Sequence, residues 1–156
     1  MLDFKELWKN HPAIREEIDP CRHLATKEPF FTNQCAIRMG VCLGRSGFDL
    51  SLYSGRKCWH HPESENHTLR VMELIKYLRG VLPKEILTIK KSSEGHFDYF
   101  DFDGLTGIVA FQDFWDTNDN GKNDGDHIDL WDGDKLAYGD NDYFERSDLV
   151  YFWEIE

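Results

Sequence analysis

The sequence predicts an α+β domain in which N-terminal helices pack on an antiparallel sheet. Three observations carry that class. Helical apolar spacing ends at Pro83, strand-like segments occupy the chain beyond it, and the joins between those segments are short and rich in Gly, Asn and Asp. No internal repeat and no linker interrupts the 156 residues, so a single domain over 1–156 is expected.

Taken in order, residues 3–9 (DFKELWK) put Phe4, Leu7 and Trp8 on one face of a short amphipathic helix. A polar stretch punctuated by Pro20 and Pro29 leads into FFTNQCAIRMGVCLGRSGF. From Cys35 to Leu43 that segment is mostly apolar or small all round, with Asn33 as the expected N-cap and Gly44 or Gly47 as the stop, which is the pattern of a buried helix. Leu69, Met72, Ile75, Leu78 and Leu82 recur at helical spacing over Thr68–Leu82, and Arg70, Glu73, Lys76 and Arg79 make the opposite face polar. The expected strands are EILTIKK, HFDYFDF, TGIVAFQDFW, the pair HIDLW and KLAY around an Asp132-Gly133 turn, and LVYFWEI.

Composition narrows the functional classes. A net charge of −11 without a basic cluster excludes a nucleic-acid binder. No apolar run approaches the roughly 18 residues of a membrane span, so membrane insertion is not expected. The N-terminus lacks the apolar core of a secretory signal, and synthesis in the cytoplasm without a signal peptide is the expectation. Cys21, Cys35, Cys42 and Cys58 are too few for a disulfide scaffold.

A thiol becomes a nucleophile when its thiolate is stabilised, and the unpaired N–H groups and dipole of a helix N-terminus do this. Cys35 opens its helix, whereas Cys42 lies two turns further on and reads as core packing. The same N–H groups can donate to the oxyanion formed when sulfur attacks an amide carbonyl. His127 opens the alternating strand His127-Ile128-Asp129-Leu130-Trp131 and supplies a candidate base. If Asp132 and Gly133 are the two central turn residues, His127 opposes Tyr138 and Asp140 is its diagonal neighbour, about 7–8 Å away at the backbone. Asp140 is therefore the first choice for the carboxylate that orients the imidazole, and Asp129, on the same face, is the alternative.

Two further constellations stand out. Asp116, Asn118, Asn120 and Asp124 place oxygens at positions 1, 3, 5 and 9 of a calcium-type loop with Gly121 at position 6. Position 12 is His127 instead of a bidentate Glu, so a plain Asn/Asp/Gly turn competes with calcium binding; no cofactor is required, and calcium is a candidate. Cys21-x-His23 and Cys58-x-His60-His61 offer soft and imidazole zinc ligands, and a Cys21–Cys58 disulfide is the competing reading in an oxidising compartment.

At these residues the chain resembles the fourth family of type VI secretion amidase effectors, a papain-like group related to the NlpC/P60 cell-wall hydrolases. The N-x-C-x-x-R-M helix start of that family reads Asn33-Gln34-Cys35-Ala36-Ile37-Arg38-Met39, followed by Leu43 and Gly47. Its G-H-[IV]-x-L-W-[ND]-G strand reads Asp126-His127-Ile128-Asp129-Leu130-Trp131-Asp132-Gly133, and the preceding G-I-[IV]-x-F strand reads Gly107-Ile108-Val109-Ala110-Phe111. The N-terminal F-x-x-x-W helix appears as Phe4 to Trp8. Asp126 stands where the family pattern has Gly, and Tyr138 stands at the interval where its catalytic Asp follows the histidine.

The resemblance implies a papain-like, NlpC/P60-type fold and an antibacterial peptidoglycan amidase. It further implies a DL-endopeptidase that cuts between D-glutamate and meso-diaminopimelate in cell-wall peptide stems. A component of the secretion apparatus, delivery into the periplasm of a target bacterium and a cognate immunity protein are implied with it. Two other classes stay open on the residues alone: another Cys/His acyl-transfer hydrolase on the same fold, and a non-catalytic acidic calcium-binding domain.

Overall fold

Helices form in the N-terminal half where the apolar spacing predicts them. In the computed structural model, which describes residues 1–156, α1 spans Phe4–Asn10, α2 Cys35–Arg45 and α3 Val71–Val81. Asp3 caps α1 by accepting the Glu6 N–H at 2.9 Å, and Phe4 and Leu7 are buried. The chain divides into two compact units, Met1–Leu78 and Arg79–Glu156.

In the first unit, α2 is buried continuously from Cys35 to Leu43. Its glycines serve close approach. A Cβ on Gly40 would lie 2.3 Å from both Asn66 O and Thr68 Oγ1, so only glycine lets the 66–68 segment cross there. Thr68 Oγ1 uses that approach to donate to Ala36 O at 2.7 Å. Asn10 Nδ2 donates to Arg45 O at 3.3 Å and ties α1 to the end of α2.

The second unit carries a four-stranded antiparallel sheet of β1 (Leu87–Lys91), β2 (Gly107–Trp115), β3 (Gly125–Trp131) and β4 (Leu149–Glu154), in the order β1-β4-β2-β3. Phe111 pairs with His127 and with Val150, and Val109 pairs with Asp129 and with Phe152. Alternation therefore puts His127, Asp129 and Trp131 on the sheet face that also carries Val109, Phe111, Val150 and Phe152. That face is covered by Phe102, Leu136 and Phe144, the last from the single-turn helix α4 (Tyr143–Arg146).

Two expected strands are something else. HFDYFDF forms a loop and a 3₁₀ turn over Tyr99–Phe102, because Asp98 Oδ1 accepts the Phe100 N–H at 2.8 Å and Asp101 Oδ2 accepts the Asp98 N–H at 3.1 Å. Those side chains satisfy the backbone groups a strand would have paired. KLAY contributes only one bridge, Trp131 to Leu136, and the Asp132-Gly133 pair is not a two-residue turn. Asp132 Oδ1 accepts the N–H groups of both Asp134 (2.9 Å) and Lys135 (2.8 Å), which builds a four-residue connection and shifts the register on which the choice of Asp140 rested. No helix is long and apolar enough to cross a membrane.

Candidate active site

The predicted site residues fall in both units, Cys35 in the first and His127, Asp129 and Asp140 in the second. Cys35 is the first residue of α2 and is 3% exposed. The N-cap is Gln34, one residue after the expected Asn33, but Asn33 supplies the capping interaction: its Oδ1 accepts the Cys35 N–H at 3.2 Å. Gln34 is spent elsewhere. Its Oε1 accepts the Cys21 N–H and its Nε2 donates to Cys21 O, both at 2.8 Å, so the start of α2 is stitched to residue 21 on both sides of one amide. No acidic residue occupies the first turn of α2, so the positive end of the helix dipole is not neutralised. Cys42 is fully buried, and its thiol donates to Leu7 O at 3.2 Å, as a core cysteine does.

On β3, His127 Nε2 lies 2.8 Å from Asp129 Oδ2. The two are neighbours on one strand face, two residues apart, which is why the pair forms without any help from the hairpin. Asp129 is wholly buried and receives two backbone donors as well, Leu130 N–H on Oδ1 at 2.8 Å and Tyr138 N–H on Oδ2 at 3.0 Å. The Asp129 carboxylate thus accepts hydrogen bonds on both of its oxygens. It directs the Nε2–H tautomer of His127 and places the basic lone pair on Nδ1. Phe111 stacks on the imidazole at 17° with centroids 6.1 Å apart, and Tyr143 meets it edge-on at 5.4 Å.

Of the two carboxylates expected near the imidazole, Asp129 is the one hydrogen-bonded to it. Asp140 is exposed, and its backbone carbonyl accepts the Tyr143 N–H at 3.1 Å. Tyr138, at the family's Asp interval, contributes its main chain. Asp126, in place of the family's Gly, has its own local role: Oδ1 accepts the Asp113 N–H at 3.1 Å, where Asp113 adopts φ 56° within the register shift of β2.

The 116–126 loop brings its predicted oxygens together, but on its own donors. Asp116 accepts the N–H groups of Asn118 (3.1 Å) and Gly121 (2.6 Å), Asn120 accepts Lys122 N–H at 3.0 Å, and Asp124 accepts from Thr117 Oγ1 (2.6 Å) and Asn118 Nδ2 (3.0 Å). Hydrogen bonds from Thr117 hold the Asp124 carboxyl below its ordinary range.

A second cluster lies in the first unit. Cys21, Cys58 and His61 converge as the cysteine and histidine spacing suggests, and the fourth member is His67, which the sequence reading passed over. His23 and His60 are not part of it: His23 Nδ1 accepts the Ala25 N–H at 3.2 Å and His60 Nε2 accepts the Leu24 N–H at 2.9 Å. The signal that would have found His67 is the run Cys58-x-x-His61 with a further His six residues on.

Comparison with known proteins resolves the class. The family model described as type VI secretion system (T6SS), amidase effector protein 4 (Tae4), matches residues 31–153. The chain belongs to this family. As a Tae4-family member it is an amidase effector of type VI secretion, with the α+β fold expected from the sequence. Tae4 from Salmonella Typhimurium, solved as an effector–immunity complex with Tai4, matches with TM-score 0.73 and 20% identity over 100% of this chain and 99% of that one. The corresponding Enterobacter cloacae complex matches with TM-score 0.71 and 17% identity, again over 100% and 99%. The effector alone from Enterobacter cloacae gives 0.71 and 19%, over 100% and 98%. No curated protein matches the chain. At these identities the likeness is one of fold.

Proposed function

We propose that this Tae4-family chain is an antibacterial peptidoglycan amidase, a DL-endopeptidase that hydrolyses the D-glutamyl to meso-diaminopimelate amide of cell-wall peptide stems by cysteine nucleophilic catalysis. The observation that carries the reading is the buried His127–Asp129 pair at 2.8 Å, within the strand motif that resembles the family's histidine motif. The helix-start position of Cys35 supports it from the other unit.

In this reading His127 Nδ1 takes the Cys35 proton, and the thiolate attacks the γ-glutamyl carbonyl carbon to form a C–S bond. The tetrahedral oxyanion is received by the Cys35 N–H, which exchanges the neutral Asn33 oxygen for an anionic one and so gains hydrogen-bond strength in the transition state. Protonated His127 returns its proton to the leaving amine as the C–N bond breaks. Water, deprotonated by His127, then adds to the thioester and expels the thiolate. Asp129 keeps the imidazole in one tautomer and stabilises the imidazolium.

The Salmonella Typhimurium and Enterobacter cloacae complexes of Tae4 with Tai4 support a cognate immunity partner for this chain, and membership of the family supports delivery by type VI secretion, in this reading into the periplasm of a target cell. The test is periplasmic expression of wild type, Cys35→Ala and Cys42→Ala in a susceptible bacterium, with mass analysis of purified peptidoglycan digested by each protein. Wild type and Cys42→Ala are expected to lyse cells and release the cleaved stem, and Cys35→Ala to do neither. Lysis by Cys35→Ala, or intact D-glutamyl bonds in a wild-type digest, overturns the reading.

A further inference from the structure

We propose that Cys21, Cys58, His61 and His67 form a structural zinc site that clamps the start of α2. The ligand atoms of all four lie within 4.8 Å of one another. Cys21 Sγ is 3.7 Å from Cys58 Sγ and 3.6 Å from His61 Nδ1, and Cys58 Sγ is 3.4 Å from His61 Nδ1. A tetrahedral ion with Zn–S of about 2.3 Å and Zn–N of about 2.0–2.1 Å holds its sulfurs about 3.8 Å apart and its sulfur–nitrogen pairs about 3.6 Å apart. The spacing of Cys21, Cys58 and His61 is that of three ligands around a tetrahedral centre, and His67 lies within reach as the fourth.

The surroundings fit a metal better than a cluster of neutral side chains. His67 is 5% exposed and its Nδ1 is buried without a hydrogen-bond partner, an orphan that a metal bond satisfies. Its other nitrogen, Nε2, lies 3.4 Å from Glu65 Oε2, the carboxylate–histidine arrangement that fixes a ligand's tautomer from behind. The His60 N–H points at Cys58 Sγ at 3.3 Å, a donor suited to a thiolate. Binding releases two thiol protons to solvent and leaves two thiolates, two neutral imidazoles and one dication, so the buried centre carries no net charge.

The consequence reaches α2 through short links. Cys21 is bonded reciprocally to Gln34, the residue before Cys35, and the Cys58 N–H donates to His67 O at 2.9 Å beside Thr68, which holds Ala36 O. The ion would tie together both segments that flank the first turn of the helix. The site stands whether or not Cys35 is the nucleophile, because every readout below is independent of hydrolysis.

The full chain, reduced and freed of metal, is incubated with zinc and desalted. Elemental analysis is expected to find one zinc per chain, and chelator is expected to lower Tm by about 10 °C. Cobalt in place of zinc is expected to give the intense visible bands of a tetrahedral site together with thiolate-to-cobalt charge transfer in the near ultraviolet. Cys58→Ser and His67→Gln are expected to weaken binding at least about tenfold, with His23→Gln and His60→Gln unchanged as neighbouring controls. The wild-type measurements decide the matter even if a ligand variant misfolds. Substoichiometric zinc, an octahedral cobalt spectrum, or a Cys21–Cys58 disulfide formed in the presence of excess zinc overturns the proposal.

Discussion

Replacing Asp129 with Asn separates the orienting carboxylate from every other feature of β3. Asp129 is fully buried and takes three donors, from His127, Leu130 and Tyr138. An amide has one acceptor oxygen. The cheaper rotamer keeps that oxygen toward His127 and Tyr138 and turns the NH₂ group against the Leu130 N–H, leaving one buried donor unmet at a cost of about 1–3 kcal/mol. For a chain of this size that lowers Tm by roughly 3–10 °C, and the fold survives. The imidazolium also loses a counter-charge. Two unit charges about 4 Å apart at an effective dielectric near 20 interact by about 4 kcal/mol, so the turnover number should fall about 10²- to 10³-fold. Asp140→Asn, at an exposed position, should leave stability within about 0.5 kcal/mol and activity within about threefold of wild type. The assay is the initial rate of cleaved-stem release from purified peptidoglycan under saturation, with calorimetry on the same samples. Wild-type turnover in Asp129→Asn, or a larger loss in Asp140→Asn, refutes the assignment of Asp129.

Gly40→Ala should destabilise the chain by about 3 kcal/mol or more, read as a lower urea midpoint, because its Cβ would lie 2.3 Å from the Asn66 carbonyl oxygen. Burial raises the Asp126 pKa above the ordinary carboxylate value, so ionising it costs stability at neutral pH. Asp126→Asn retains an acceptor for the Asp113 N–H and should raise Tm at pH 7. That advantage should shrink as pH falls through the raised pKa and vanish below the ordinary value of 3.8, where Asp126 is protonated in both states and the wild-type penalty disappears. Calorimetry from pH 7 to 3.5 checks both sign and window. Millimolar calcium should leave Tm unchanged, since Asp116 and Asp124 are already satisfied by the loop's own donors; a rise of several degrees would show that the ion displaces them.

Local chemistry was legible in the chain wherever a residue's role depends on near neighbours in sequence. The position of Cys35 at a helix start follows from the apolar run behind it, and its contrast with Cys42 follows from two turns of helix. Asp129 sits on the face of His127 because strands alternate, and that fact alone kept it among the candidates. The errors came where a short segment has two local solutions. In HFDYFDF the carboxylates of Asp98 and Asp101 outbid strand pairing, and in the Asp132-Gly133 connection one Asp132 oxygen accepts two N–H groups and lengthens the turn.

The α+β class, the helix-start cysteine, the strand histidine and the family motifs around them are legible in the chain, since periodicity and spacing over fewer than about ten residues set them. Only the folded chain brings Asp129 to 2.8 Å from His127 Nε2 and leaves Asp140 exposed, because register depends on which N–H groups the loop carboxylates capture. It alone joined His67 to Cys21, Cys58 and His61 and excluded His23 and His60. Those rings compete for backbone donors and for one another only after the chain between Cys21 and Cys58 has folded back on itself, and no sequence period records that closure.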